Sequence, residues 1–296
     1  MIYRQLPLFV FMRAEIKFIF IVVCKMIKAI FFDLDGTLLS SRKIIPQSAI
    51  AALKACREKN IKLFIATART PDLDKCLGWN VETLSLFHGG VYCNGAINIL
   101  GNEAEYNFID SRVINGIVTV MKNYPHINLS LQSVNNVHAF NNNLSKSELS
   151  VWGTEDGKIF STESISYEEI LKVLIFDGGF TTELKVIPGK VINILSNVCG
   201  KLARLYVTDE GRVIQVGNIK ASKYNGVESI RNRLGINTNE IAVFGDDIND
   251  LEMLSGYENS VAMGNAIDVI KSAARFVTKT NDNDGIAFAI ENILNV

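Results

Sequence analysis

Apolar residues along this chain keep two rhythms. From residue 26 onward, short continuous apolar runs alternate with segments whose apolar positions recur every three to four residues. IKAIFF, residues 27–32, reads as a buried strand. Residues 46–59 follow with Ala49, Ile50, Leu53 and Cys56 on one helical face, Pro46 suited to the first turn and Asn60 to a left-handed C-terminal cap. IKLFIAT, residues 61–67, is the next strand. Past residue 218 the same grammar returns. Residues 223–234 predict a helix with Val227, Ile230 and Leu234 inward and Gly235 as its stop, and residues 241–244 a short buried strand that ends in Gly-Asp-Asp. Continuous apolar strands alternating with amphipathic helices predict a Rossmann-like parallel sheet covered on both faces.

Between these halves the text is richer in Asn, Ser and Thr, with turn signals at residues 155–157 and 209–211. SYEEILKVLIFDGG reads as a helix or turn feeding a strand, and RLYVTDEGRVIQV as a hairpin. The predicted class is therefore α/β: a core formed by 26–96 and 218–296, with 97–217 as an inserted α+β domain. No repeat at solenoid or propeller periods is visible.

Residues 1–25 break the pattern. They are hydrophobic with scattered basic residues, and their longest apolar run, Phe18 to Cys24, is too short to span a bilayer. Met26 begins MIKAIFFDLDGT, which by itself resembles a domain start. The segment is read as an N-terminal extension outside the fold, with a membrane-related signal and a packed extra element as alternatives.

Composition narrows the partners. A formal net charge of −1 and a pI near 6.3 provide no whole-chain attraction to nucleic acid or to an anionic membrane, so neither partner is expected. Five scattered cysteines without CxxC spacing read as free thiols of a reducing compartment, and a cytoplasmic location is expected. The sequence leaves the oligomeric state open.

The chemistry concentrates where strands end. In FFDLDGTLL, Asp33 and Asp35 stand i, i+2, so in an extended segment they face the same side. Two such charges repel by roughly 4 kcal/mol at ~4 Å and an effective dielectric of ~20. A divalent cation, a shared proton or a nearby lysine could compensate. Thr67 in IATAR, Lys223 in KASKYNG, and Asp246, Asp247, Asn249 and Asp250 in FGDDINDLEML also follow predicted strands or open a helix. Each has a bland reading alone: a solvated turn, a helix cap, a surface lysine, an acidic loop. Together, at the carboxyl ends of a parallel sheet, carboxylates, a hydroxyl and one ammonium describe a site for a divalent ion and a phosphoryl group. Oxygen donors without Cys or His favour Mg²⁺ over zinc.

These four segments, in order, resemble the motifs of the haloacid dehalogenase-like phosphohydrolases. CNGA (93–96), VAMGNA (261–266) and NDNDG (281–285) resemble features of the Cof-type subgroup. The resemblance runs from Met26 to Val296, with the middle matching mainly by size and placement. It implies that Asp33 is a nucleophile forming an aspartyl-phosphate, and that Asp35 is the general acid and then the base. Thr67 and Lys223 would hold the transferring oxygens. Asp33, Asp246 and the Asp35 backbone carbonyl would bind Mg²⁺, with Asn249 and Asp250 supporting that shell. Arg69, Asn94, Gly95 and Asn249 join Thr67 and Lys223 as expected substrate contacts. Asp33, Asp35, Asp246 and Asp250 form the expected metal set.

The implied activity is Mg²⁺-dependent hydrolysis of small phosphorylated metabolites, sugar phosphates foremost, with the insert acting as a cap that selects the substrate. A phosphomutase and a non-catalytic phospho-metabolite binder are the alternatives. Ala68 departs from the glycine common at that position. His126, His138, Trp152 and Lys158 of the insert are read as packing or surface residues.

Overall fold

The computed structural model describes residues 26–151 and 159–296. The extension read over 1–25, with Cys24, lies outside the described residues, as do Trp152, Lys158 and the turn expected at 155–157. Among the described residues, no helix is long and apolar enough to cross a membrane.

The chain begins with β1 (Ala29–Phe32), β2 (Lys62–Ala66), β3 (Gly89–Tyr92), β4 (Ile97–Leu100) and β5 (Glu103–Tyr106). Next come β6 (Ile127–Ser133), β7 (His138–Phe140), β8 (Ile159–Ser161) and β9 (Ile170–Gly178). β10 (Leu184–Lys185), β11 (Ala203–Thr208) and β12 (Val213–Asn218) complete the middle. β13 (Ile241–Gly245), β14 (Asn259–Ala262) and β15 (Phe276–Val277) follow.

Two sheets result. The first has the order β15-β14-β13-β1-β2-β3-β4-β5, parallel from β15 to β3 and antiparallel at β4 and β5. Side chains of β1 alternate between its faces. Ile30 and Phe32 pack with Leu53 of the helix Gln47–Glu58, whereas Ala29 and Phe31 pack with Val227 and Ile230 of the helix Lys223–Leu234. Burial on both faces explains why β1 reads as an unbroken apolar run. Asn60 and Gly235 take the left-handed conformation expected of them after their helices.

The second sheet, β11-β12-β9-β6-β7-β8 with β10 on β9, is antiparallel except where β7 meets β8. The sequence boundary at residue 97 needs correction, because β4 and β5 hydrogen-bond to the core sheet. The core's first segment therefore reaches Tyr106. Asn, Gly and polar residues around 94–107 look like the insert in composition, yet strand pairing places them with the core.

One face of the second sheet is apolar. Leu129, Leu131, Val173, Ile175, Ile214 and Val216 cluster with the helices Ser111–Met121 and Gly189–Cys199. The alternate positions Gln132, Lys172 and Gln215 belong to the opposite face, and His138 is level with Gln132, which is level with Lys172. That face meets the core: Lys172 Nζ donates to the Ala68 carbonyl at 2.9 Å, and Asn94 Nδ2 to Gln215 Oε1 at 3.4 Å.

Candidate active site

β1 lies between β13 and β2, with Phe32 level with both Phe244 and Ile65. The residues that follow these strands consequently emerge at one edge of the sheet, where open parallel sheets bind ligands. Asp33 continues the ladder, its N–H donating to the Phe244 carbonyl at 3.1 Å. Thr67, just after β2, is buried and donates its N–H to the Val91 carbonyl at 2.8 Å.

Lys223 opens its helix behind the Ser222 cap, and its side chain is fully buried. Its ammonium donates to Asp33 Oδ1 at 2.6 Å and to Asp250 Oδ1 at 2.7 Å. The other Asp250 oxygen accepts from the backbone N–H groups of Asp246 and Asp247, at 3.0 and 3.2 Å. Asp246 Oδ1 accepts from the Thr37 hydroxyl at 2.7 Å. Gly36 brings its backbone against the same carboxylate. With φ at +82°, it is where a Cβ would stand 2.2 Å from Asp246 Oδ2, so any larger residue would fill the space beside that oxygen.

Three carboxylates share one ammonium here. Burial pushes the Asp33 carboxyl well above the ordinary range; Lys223 opposes this, and Asp250 and Asp246 add to it. Asp246 is pushed up to about 6, again chiefly by burial and further by Asp250, against Thr37 and Lys223. The cluster is short of positive charge. Ligand atoms of Asp33, Asp246 and Asp250 lie within 4.8 Å of one another, and this all-oxygen donor set suits a hard divalent cation. Asp250 has both oxygens engaged, so it braces the cluster, and Asp33 and Asp246 are the better ligands.

Asp35 is placed otherwise than the i, i+2 spacing predicts. β1 ends at Phe32, and the chain turns through Gly36, so the two carboxylates do not share a face. Asp35 accepts from Arg69 at 2.6 and 2.8 Å and from Lys43 at 2.8 Å. Burial works against its charge, but these two cations hold its carboxyl down at about 2. Asp33 and Asp35 are thus bonded to different cations. The Asp35 side chain is outside the acidic cluster, and Arg69, expected as a substrate contact, is engaged with it.

Of the remaining expected contacts, Asn249 Nδ2 donates to Asn94 Oδ1 at 3.1 Å, joining the Asp-rich loop to Gln215 of the second sheet through one buried amide. Gly95 has a packing role: a Cβ there would come within 2.4 Å of the Ser222 carbonyl, beside the start of the Lys223 helix. Sequence reasoning missed Thr37, Lys43 and Lys172 as members of this region. It also passed over Asn265, which donates to the Gly36 carbonyl at 2.8 Å and accepts from the Asn281 N–H at 3.0 Å. Asn265 and Asn281 fall inside VAMGNA and NDNDG, so those segments brace the loop after Asp33. Lys172 carried a signal as well, being a lone charge inside the apolar run ILKVLIF.

The profile of the haloacid dehalogenase-like hydrolases matches residues 30–290. A curated relative from Bacillus subtilis, 5-amino-6-(5-phospho-D-ribitylamino)uracil phosphatase YcsE, is 27% identical over 270 residues, covering 90% of this chain and 95% of its own. A solved HAD subclass IIB sugar phosphatase superposes with a TM-score of 0.74 at 26% identity, covering 91% of this chain and all of that one. Another solved structure, described for a trigonal-bipyramidal intermediate in a phosphoryl-transfer superfamily, has a TM-score of 0.76 at 25% identity and covers 92% of this chain. With matched motifs, matched fold and an acidic cluster at the strand ends, the chain belongs to the haloacid dehalogenase-like hydrolases, of the Cof type.

Proposed function

We propose that this protein is a Mg²⁺-dependent phosphatase of small phosphorylated metabolites that works through an aspartyl-phosphate on Asp33. The observation that carries the reading is the buried Asp33 carboxylate, held by Lys223 at 2.6 Å within a cluster of carboxylates short of positive charge. Relatives named as phosphatases support the same chemistry.

The residues divide the work as follows. An Asp33 oxygen attacks phosphorus, the phosphorus–oxygen bond to the leaving group breaks, and the departing oxygen takes a proton. Water then attacks the same phosphorus, gives up a proton, and Asp33 leaves as carboxylate. Two easier steps replace one very slow one. Lys223, bonded to Asp33, and Thr67, which follows β2, would take the charge on the phosphoryl oxygens, and Lys223 would fix the Asp33 rotamer for in-line attack. Asp33 and Asp246 would hold Mg²⁺, which supplies charge neutralisation at the phosphoryl oxygens. Asp35 is held ionised, ready to accept the proton of the attacking water. To serve first as an acid it must be protonated, which requires Arg69 and Lys43 to release it. Arg69 is thereby freed for the incoming phosphate ester.

The test is phosphate release from p-nitrophenyl phosphate and a panel of sugar phosphates, with Mg²⁺ and with excess chelator. Release that needs Mg²⁺ and is lost in Asp33→Asn supports the assignment. Full activity in chelator, or in that variant, overturns it.

A further inference from the structure

Between the two sheets lies a cavity of 180 Å³ whose lining includes Arg69, Gln132, His138, Lys172, Leu174 and Phe180. Among the described residues, no acidic side chain lines it. Arg69 is already neutralised by Asp35. Burial drives the His138 pKa down to about 4, so that ring is neutral. Lys172 is different. It is 8% exposed, and its single hydrogen bond among the described residues is to the Ala68 carbonyl. Among the described residues, no carboxylate stands within ion-pair distance of it, in contrast to Lys223 with two. An ammonium has three donors, and a buried one without an anion is costly. On β9 it interrupts the apolar run from Ile170 to Phe176, at the register level of Gln132.

We infer that Lys172 is a specificity-determining residue that seats an oxyanion on the leaving group, so that the preferred substrates are phosphate esters carrying a second anionic group. This rests on the phosphatase reading. The transferred phosphoryl group goes to Asp33, Thr67 and Lys223. Lys172, bonded to the carbonyl of Ala68 next to Thr67, meets the far part of the ester. Gln132 offers a neutral amide beside it, and Leu174 and Phe180 form an apolar wall for the carbon skeleton. Bound substrate would supply the anion that the fold leaves out.

The experiment uses three ring-matched probes: glucose 1-phosphate, glucuronate 1-phosphate and glucose 1,6-bisphosphate. Their kcat/KM values are compared for the full chain and for Lys172→Met and Lys172→Arg. Their affinities are measured by calorimetry on the Asp33→Asn background, which reads binding even if no ester is turned over. At least one anionic probe is expected to be favoured over glucose 1-phosphate by about tenfold or more. The preference should fall to about twofold or less in Lys172→Met and survive in Lys172→Arg. Which anionic probe wins separates a carboxylate from a second phosphate.

Equal binding of all three probes by the full chain, or a preference untouched in Lys172→Met, overturns the inference. So does a large drop in Tm for Lys172→Met, because a lysine that merely tied down Ala68 would be missed by the fold. An unpaired buried cation replaced by an apolar side chain of similar length is expected to leave Tm unchanged or raised. Absence of turnover with the binding preference intact would instead remove the phosphatase reading and leave the oxyanion seat standing.

Discussion

The cluster at the ends of β1 and β13 and the polar face of the second sheet handle charge in opposite ways. Around Asp33, carboxylates outnumber ammonium groups, and the bonds from Lys223 and Thr37 join segments far apart in the chain. Around Lys172, Arg69 is paired with Asp35, and no described carboxylate pairs with Lys172 itself. The first region is complementary to a cation and a phosphoryl group, which every substrate of such an enzyme presents. The second is complementary to something only particular substrates bring. Under the proposed function, the core would carry the reaction and the inserted sheet would choose what undergoes it.

The sharpest way to break this division is to remove the nucleophile. Asp33→Asn is expected to lower turnover of every substrate by about 10⁴-fold or more while leaving the circular dichroism spectrum intact. A variant that lost only some substrates would place Asp33 in selection and not in chemistry.

Lys223→Met comes next, because it leaves Asp33 and Asp250 buried without their cation. The expected cost is about 3–5 kcal/mol, read as a lowered denaturant midpoint at neutral pH. The loss should shrink in acid, where the stranded carboxyls can protonate.

Asp246 provides a pH signature of the cluster's charge deficit. Its carboxyl is raised from 3.8 to about 6 in the fold, so its stabilising contribution is present below about pH 3.8 and is lost as pH rises through about 6. Metal-free protein should accordingly lose several degrees in Tm across that window relative to Asp246→Asn. At neutral pH, Mg²⁺ should raise Tm in the parent protein and far less in the variant. A flat Tm difference across the window would mean that no such charge deficit exists.

The smallest effect is expected where the two regions meet. Gln215→Ala removes the amide contact to Asn94 across the sheets, which is worth about 0.5–1.5 kcal/mol. A change of a few fold in KM with kcat nearly unaltered would fit a contact that steadies the second sheet over the site. A change confined to kcat would tie Asn94 and Asn249 to the reacting groups.

Several of these features were legible before any coordinates. The helix Lys223–Leu234 and its glycine stop, the strand Ile241–Gly245, and the parallel core follow from periodicity and end signals over a dozen residues. Asp33, Lys223, Asp246 and Asp250 were legible as a group because strand ends in a parallel sheet converge. The partner of Asp35 was not. Local spacing predicts which way a side chain points only while the strand continues, and here the strand ends at Phe32. The assignment of residues 97–106 was also out of reach, since an antiparallel hairpin can join either sheet and only hydrogen-bonding to β3 decides which.

By itself the sequence determined the alternation of strands and helices, the presence of an insert, and the set of oxygen-bearing residues available for phosphoryl chemistry. Each of these depends on composition and spacing within one segment. Tertiary structure alone decided that Lys223 bonds two aspartates, that Arg69 and Lys43 hold Asp35, and that Lys172 faces a cavity to which no described residue brings an anion. Those facts depend on distances between segments as much as 190 residues apart, and electrostatic energy is set by such distances and by burial, neither of which is written locally in the chain.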